Sequence, residues 1–349
     1  MSDQDDNQKR GISRREVLKR SGMGLGALAL GSVMEGPGNL WAAAPFVKGA
    51  DISWLPQMEA AGLTFFNNSG VQQDCLTILK GFGINAARLR TWVNPSNDPS
   101  NGHCSQPETI AMAKRCKNAG LMVDIDFHFG DTWNSVGVQN PPAAWASLTF
   151  TQMVSVMQSY VHGFMTALRA AGVTPDWVQI GNEINSGICH PVGSLAHQPA
   201  QMTGLLNAAH DMVKQVFPST PVLIHLAQPQ NFTSVQNFLN AYQANGGQWD
   251  ITAFSSYAGG SNVPVVLTNM KTAQSQWGRP VMQVEFGGKV TSPGSTQRDL
   301  RAFVTGVQGF GGLGVFYWEP EVYAAFNSYG SGAWDSTTRQ PTAALQGFL

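Results

Sequence analysis

From residue 47 to residue 318, short runs rich in Val, Ile, Leu and Phe alternate with longer segments whose apolar positions recur every three or four residues. A continuous apolar run reads as a strand buried on both faces, and a 3.6-residue period reads as a helix with one apolar stripe. The pattern predicts strands near 47–52, 84–91, 121–128, 176–182, 221–226, 250–256, 280–285 and 313–318. Between them it predicts helices over about 71–82, 106–119, 151–171, 200–216, 233–245, 263–276 and 295–308, with a short one near 340–348. Strands alternating with helices in this number predict an α/β chain folded as a single (β/α)8 TIM barrel, with an open doubly wound sheet as the alternative. No Ser/Gly linker, repeat or charge block interrupts residues 45–349, which therefore read as one catalytic domain.

The first 44 residues break the pattern. Residues 12–34 read ISRREVLKRSGMGLGALALGSVM, a basic region followed by a mildly apolar, Gly-rich stretch, and Ala42, Ala43 and Ala44 follow. The pair Arg14 and Arg15 in this setting predicts a twin-arginine export signal over residues 1–44, and hence a periplasmic or secreted protein. The stretch is too short and too Gly-rich for a comfortable membrane span, so no membrane association is expected once it is removed.

Charged residues make up 12% of the chain and the net charge is -1, which leaves no basic excess for a polyanion and argues against nucleic-acid binding. Ten Trp, six Tyr and 18 Phe suit a neutral ligand with flat apolar faces, such as a sugar. With few carboxylates to protonate, the fold is expected to lose little stability in acid. The four cysteines, Cys75, Cys104, Cys116 and Cys189, form no C-x-x-C, so no cluster or metal centre is expected, although one or two disulfides would be compatible with an oxidising compartment. No cofactor is expected, and the protein reads as a monomer. Gly309, Gly311 and Gly314 spell G-x-G-x-x-G, but a helix precedes and a strand follows, the reverse of the dinucleotide-binding order.

In a barrel the chemistry sits where strands end. Beyond residue 44 there are six glutamates, and Glu183, Glu285 and Glu319 fall at the ends of the fourth, seventh and eighth predicted strands. Glu183 closes DWVQIGNEIN beside Asn182; at the end of a buried strand its pKa is expected to rise by desolvation, as a general acid requires. Glu285 closes PVMQVEFGG, where Gly287 and Gly288 permit close approach to the backbone. Two such carboxylates ~5 Å apart make a retaining glycosidase pair, and ~6.5–9.5 Å would mean inversion. Arg88 and Arg90 in AARLRTWVNP share one strand face and are expected to hold a carboxylate ionised. Asp124, Asp126 and His128 in VDIDFHFGDTW follow the same period; His128 with Asp131 lacks a second His at ligand spacing and reads as a sugar contact rather than a metal site. Trp318, in GVFYWEPE, is a candidate sugar-stacking platform, as are Trp54, Trp92, Trp133 and Trp334, whereas Trp177, Trp249 and Trp277 precede strands and read as structural.

Together, GADISWLPQMEAAG from Gly49, RLRTWVNP, DFHFGDTW, IGNEI, IHLA, QVEFGG, FYWEP and the closing DSTTRQPTAAL resemble glycoside hydrolase family 53, the endo-β-1,4-galactanases. The resemblance runs over nearly all of residues 45–349. It implies Glu183 as acid/base, Glu285 as nucleophile, Arg88 and Tyr257 as supports of the nucleophile, and Asn182 as the partner of the sugar 2-hydroxyl. The candidate substrate-binding set is Trp92, His128, Asp131, Trp133, His225, Trp318 and Glu319. The expected partner is then a polysaccharide, β-1,4-galactan, with another β-glycan such as mannan or glucan as the alternative, or glycan binding without catalysis. The chain departs from the family pattern at Ala227, where an Asp is usual, and at Ala258 in a run that is usually Tyr-Tyr-Pro. The segment after Glu285, a loop that in some relatives holds calcium, is short and Gly-rich.

Overall fold

The computed structural model describes residues 45–349. Eight parallel strands, β1 (Val47–Asp51), β2 (Ala86–Thr91), β3 (Met122–Phe127), β4 (Trp177–Ile180), β5 (Val222–Ala227), β6 (Ile251–Ser255), β7 (Val281–Phe286) and β8 (Gly314–Trp318), close into a barrel in sequence order. β8 returns to β1, with Val47 opposite Gly314 and Asp51 opposite Trp318. Among the described residues a short helix, Leu55–Ala60, follows β1, and seven longer helices surround the barrel: α1 (Cys75–Gly81), α2 (Gln106–Asn118), α3 (Phe150–Ala170), α4 (Pro199–Val216), α5 (Phe232–Ala244), α6 (Val263–Trp277) and α7 (Pro293–Gly309). The predicted closed barrel is thus the observed one, and the C-terminal segment forms a 3-10 helix, Ala343–Phe348, against α7.

Local chemistry accounts for most element ends. The helix predicted from residue 71 starts at Cys75, because Asp74 accepts the Thr77 amide at 3.0 Å as its cap, while Gln72–Gln73 pair with Phe65–Phe66 in a small hairpin. Ser105 with Glu108, and Thr149 with Gln152, form capping boxes that open α2 and α3. β4 stops earlier than predicted, at Ile180, because Gly181 turns the chain at φ +95°.

The barrel interior is layered along its axis. Near the N-terminal ends of the strands it is apolar, with Val47, Ala86, Trp177, Leu223, Ala253, Met282 and Phe316 in one cluster. One layer higher, alternation brings in buried polar side chains instead: Asp51, Arg88, Asp124, Asp126, Gln179 and His225. This layer lies beneath the mouth and carries the site. Opposite Phe254 and Ser255 of β6 stand Gln283 and Glu285 of β7, so Val284 is an extra residue, a β-bulge. The bulge puts Glu285 in step with Ser255, while the Phe286 ring packs on Phe303 of α7 at 5.4 Å.

All four cysteines are buried and free, so no disulfide joins them. Trp334 is fully buried against Phe65 at 5.8 Å and belongs to the core, not to a stacking surface. Trp177, Trp249 and Trp277 are buried as expected. Among the described residues no helix is long and apolar enough to cross a membrane. The segment read as an export signal lies outside the described residues.

Candidate active site

The mouth of the barrel holds a cleft of about 420 Å3, and both Glu183 and Glu285 line it. Glu285 is 5% exposed. Its Oε1 pairs with Arg88 Nη1 at 2.8 Å, and its Oε2 accepts the Tyr257 hydroxyl at 3.0 Å. Arg88 is fully buried and divided among several partners: Asp51 at 2.7 Å, Asp126 at 2.9 Å, and the side-chain oxygens of Asn182 at 2.9 Å and Gln179 at 3.2 Å. One cation serving three close carboxylates leaves each only partly compensated. Burial therefore pushes Glu285 up to about 8, with Arg88 pulling the other way and Glu183, Asp51 and Asp126 adding to the rise. The expectation that arginine alone would keep this carboxylate low is corrected: burial outweighs the ion pair. Asp124, farther from Arg88 at 4.0 Å, is pushed up by burial to about 8 as well.

Glu183 sits beyond β4 at φ +49°, a left-handed backbone that a non-glycine residue adopts at some cost. Its side chain is held by Ser255 Oγ, which donates to Oε1 at 2.7 Å, and by the Val136 amide, which donates to Oε2 at 3.2 Å. Glu183 is half-buried, so the deep burial expected at this residue is found at Glu285 instead. The reason is position: Glu183 stands on the turn after its strand, Glu285 within its strand. Asn182 lines the cleft; its Oδ1 accepts from Arg88 and from His225 Nδ1 at 2.9 Å, and its Nδ2 donates to the Asn134 carbonyl at 2.9 Å. His225 is fully buried, and burial beside Arg88 and His128 pushes its pKa well below the usual histidine value, so it is a neutral prop for Asn182.

The wall opposite is aromatic. Trp54, Trp133, Trp318 and Tyr329 line the cleft and meet edge to face, with centroids 4.9 to 5.8 Å apart for Trp54–Trp133, Trp133–Trp318 and Trp318–Tyr329. Behind them lies Arg90, 1% exposed, its guanidinium carbon 4.6 Å from the Trp133 ring centre, 4.8 Å from Trp54, 5.4 Å from Trp92 and 5.9 Å from Trp318. Nε and Nη2 of Arg90 have no hydrogen-bond partner among the described residues, so the indole faces are what this side of the cation meets. Nη1 pairs with Glu319.

Of the residues singled out in the sequence, Glu183, Glu285, Asn182, Tyr257, His128, Trp54, Trp133 and Trp318 line the cleft, with Arg88 directly beneath. Four of the expected sugar contacts do not. Trp92 is fully buried, edge-on to Trp133 at 5.0 Å, and Glu319 is fully buried under Trp54, whose amide donates to its Oε2 at 3.2 Å. His225 lies beneath Asn182, and Asp131 accepts the amides of Asn94 and Ala143 at 2.9 Å, tying two loops together. Trp92, Glu319 and His225 shape the wall from behind, because the groups they meet stand between them and the cleft, whereas half-buried Asp131 fixes the loops that flank it. His128 Nε2 meets Asp126 at 2.9 Å, and among the described residues no three His, Cys, Asp or Glu side chains gather as a cation site. The loop after β7, residues 287–292, offers no carboxylate and one lysine, so it does not suit calcium. Ser100, Asn101, Asn134, Ser135, Asn327 and Tyr329 also line the cleft and were not anticipated. They come from loops after β2, β3 and β8, where the apolar periodicity is silent; only their position after a strand pointed to them.

Two carboxylates at the ends of the fourth and seventh strands, one gripped by arginine and tyrosine, define a (β/α)8 glycoside hydrolase. Comparison with known proteins narrows the class. The model of Glycosyl hydrolase family 53 matches residues 47–345, and the chain belongs to that family. It is 30% identical over 300 residues to a probable arabinogalactan endo-β-1,4-galactanase A of Aspergillus terreus, covering 78% of this chain and 85% of that one. It is 29% identical over 305 residues to an endo-β-1,4-galactanase of Bacillus subtilis, covering 79% and 70%. Among solved structures, the Ignisphaera aggregans GH53 catalytic domain superposes with a TM-score of 0.80 at 26% identity, over 88% of this chain and 96% of that chain. A structure described as one of two fungal β-1,4-galactanases gives the same score and identity, over 87% and 99%.

Proposed function

We propose that the chain is an exported endo-glycanase that hydrolyses β-1,4-galactan with retention of anomeric configuration. The observation that carries this reading is the pair Glu183 and Glu285 in one cleft, with the Arg88 and Tyr257 hydrogen bonds on Glu285 and none from a cation on Glu183. The asymmetry supports one division of roles. Glu285, ionised, attacks the anomeric carbon; Arg88 and Tyr257 bind its oxygens and hold the attacking one in line. Glu183, free of any ion pair among the described residues, gives its proton to the leaving glycosidic oxygen and then takes one from the water that releases the sugar. Asn182, with its oxygen occupied by Arg88 and His225, presents its amide hydrogen to a sugar hydroxyl. Trp318, Trp133 and Trp54 offer indole surface for the C–H faces of the chain. No cofactor enters this scheme.

Galactan is favoured by the names of the family relatives, and the test is reducing-sugar release from linear β-1,4-galactan beside mannan, xylan, β-glucan and type II arabinogalactan, using residues 45–349. Release from galactan alone supports the reading; release from another polymer only would replace the substrate. Observation of the first-formed anomer by proton NMR tests retention, and an inverted product would overturn it. Export rests on Arg14 and Arg15 with the apolar stretch behind them. Replacing both arginines by lysine is expected to keep the activity in the cytoplasm of the producing cell, as cell fractionation would reveal.

A further inference from the structure

Beside the catalytic cleft lies a second cavity of about 300 Å3, between the loop after β6 and the loop after β7. Tyr257 lines both spaces. Its hydroxyl reaches Glu285 on the cleft side, and the edge of its ring lies so close to Gly287 that a Cβ there would meet Cε1 at 3.0 Å. The ring is therefore a partition one residue thick between the nucleophile and the side cavity.

The cavity is kept open by residues with little or no side chain. Ala258 and Gly259 form one wall; Gly287 and Gly288 form another. A Cβ on Gly259 would meet Asp299 Oδ2 at 2.6 Å, and one on Gly288 would meet Thr296 Oγ1 at 2.4 Å. Both loops are thus drawn tightly against α7, and the space in front of them is left unfilled. Beside Phe286, the remainder is lined by polar side chains, those of Lys289, Ser292, Ser295, Thr296 and Asp299. These are hydroxyl partners of both kinds, donors and acceptors, with one positive and one negative charge, a lining for a neutral polyol and not for an acidic sugar. The volume is at the lower end of the ~300–1,000 Å3 of ligand sites, room for one monosaccharide and not for a chain.

We propose that this cavity is a branch pocket, which receives a single neutral monosaccharide substituent carried by the backbone residue next to the cleaved bond. The proposal rests on the galactanase reading above and deepens it: an endo-glycanase with an unfilled cavity one aromatic ring away from the nucleophile has space to seat a branch, where a filled wall would exclude the substituent.

The test compares linear β-1,4-galactan with the same polymer bearing single arabinose substituents, for the wild type, Ser295→Trp and Ala258→Trp. The quantity read is the ratio of kcat/KM on the substituted polymer to that on the linear one, which divides out any loss common to both. The wild type is expected to give a ratio within about threefold of one, and each Trp variant a ratio lower by about tenfold or more. Mass spectrometry of the wild-type products is expected to find a pentose on the sugar flanking the cut. A wild-type ratio below about a tenth, or a ratio unmoved by both variants, overturns the branch pocket while leaving the galactanase reading in place. Failure to cleave the linear polymer overturns the galactanase reading and the pocket with it.

Discussion

Replacing Glu285 by Ala removes the carboxylate proposed to attack and leaves Arg88 facing Asp51 and Asp126, with Asp124 farther off. Turnover on galactan is expected to fall by about 10³-fold or more, and a variant that keeps a tenth of the activity would refute the nucleophile. The same carboxyl sets the acid limb of the pH profile. Its pKa in the free enzyme lies above the ordinary glutamate value, at about 8, because burial outweighs Arg88. The reactive form is the ionised one, so kcat/KM is expected to rise with pH through that range and to be lost as pH falls below it. Tyr257→Phe removes a hydrogen bond to the ionised form and is expected to move this limb to higher pH and lower kcat. A limb near 4.5 in the wild type, unmoved in the variant, would contradict the assignment. Both glutamates were legible from their place at strand ends among few other glutamates. The resemblance also implied Arg88 and Tyr257 beside Glu285, but the grip of Ser255 on Glu183 was not legible, because Ser255 comes from another strand and sequence order does not show which glutamate it touches.

At the scale of elements, β7 shows how a single inserted residue directs chemistry. Strict alternation from Met282 would carry Val284 and Phe286 inward and turn Glu285 out toward the helices. The bulge at Val284 restores Glu285 to the side of Ser255 and sends Phe286 to Phe303. Immediately after it, Gly287 supports Tyr257: a Cβ there would meet the ring at 3.0 Å and the Tyr329 hydroxyl at 3.1 Å. Gly287→Ala is therefore expected to displace Tyr257 and lower kcat about tenfold with little change in melting temperature, which steady-state kinetics and thermal unfolding would separate. On the other wall, Arg90 joins β2 to three tryptophan-bearing loops. Arg90→Met leaves Glu319 buried without its cation, at a cost of about 3–5 kcal/mol when that carboxyl is ionised. Burial, with Arg90 pulling the other way and Asp51 adding to the rise, raises Glu319 to about 7, so the deficit in unfolding free energy is expected to be larger at pH 8 than at pH 5. A deficit independent of pH would mean that Glu319 is not the group left unpaired.

For the whole molecule, the titration of these buried groups sets the pH dependence of stability. Asp124 and Glu285 at about 8, and Glu319 at about 7, all lie above their values in an unfolded chain. Their contribution is full below the unfolded pKa and is lost as pH rises through the folded one. Asp74 and Glu108 lie below theirs, through hydrogen bonds to Arg115 and Thr77 and to His103 and Ser105, and contribute stability that is lost only as pH falls below the usual carboxylate range. The melting temperature is therefore expected to rise on going from pH 8 to pH 5, the direction in which many proteins begin to weaken. A steady fall over that interval would refute it. The low count of carboxylates pointed the same way, but the reason is burial more than number.

The sequence by itself determined the alternation of strands and helices, the barrel, and the strand ends that carry Glu183 and Glu285. These follow from apolar periodicity and from caps such as Asp74 and Ser105, which act within a few residues and leave their trace in a linear pattern. The tertiary structure alone decided the rest. It buried Trp92, His225 and Glu319 behind the cleft, made Trp334 core, and shared Arg88 among carboxylates from three strands. It also placed the bulge and opened a second cavity behind Tyr257. Each of these depends on which residues far apart in the chain become neighbours, and on how much water their packing leaves between them.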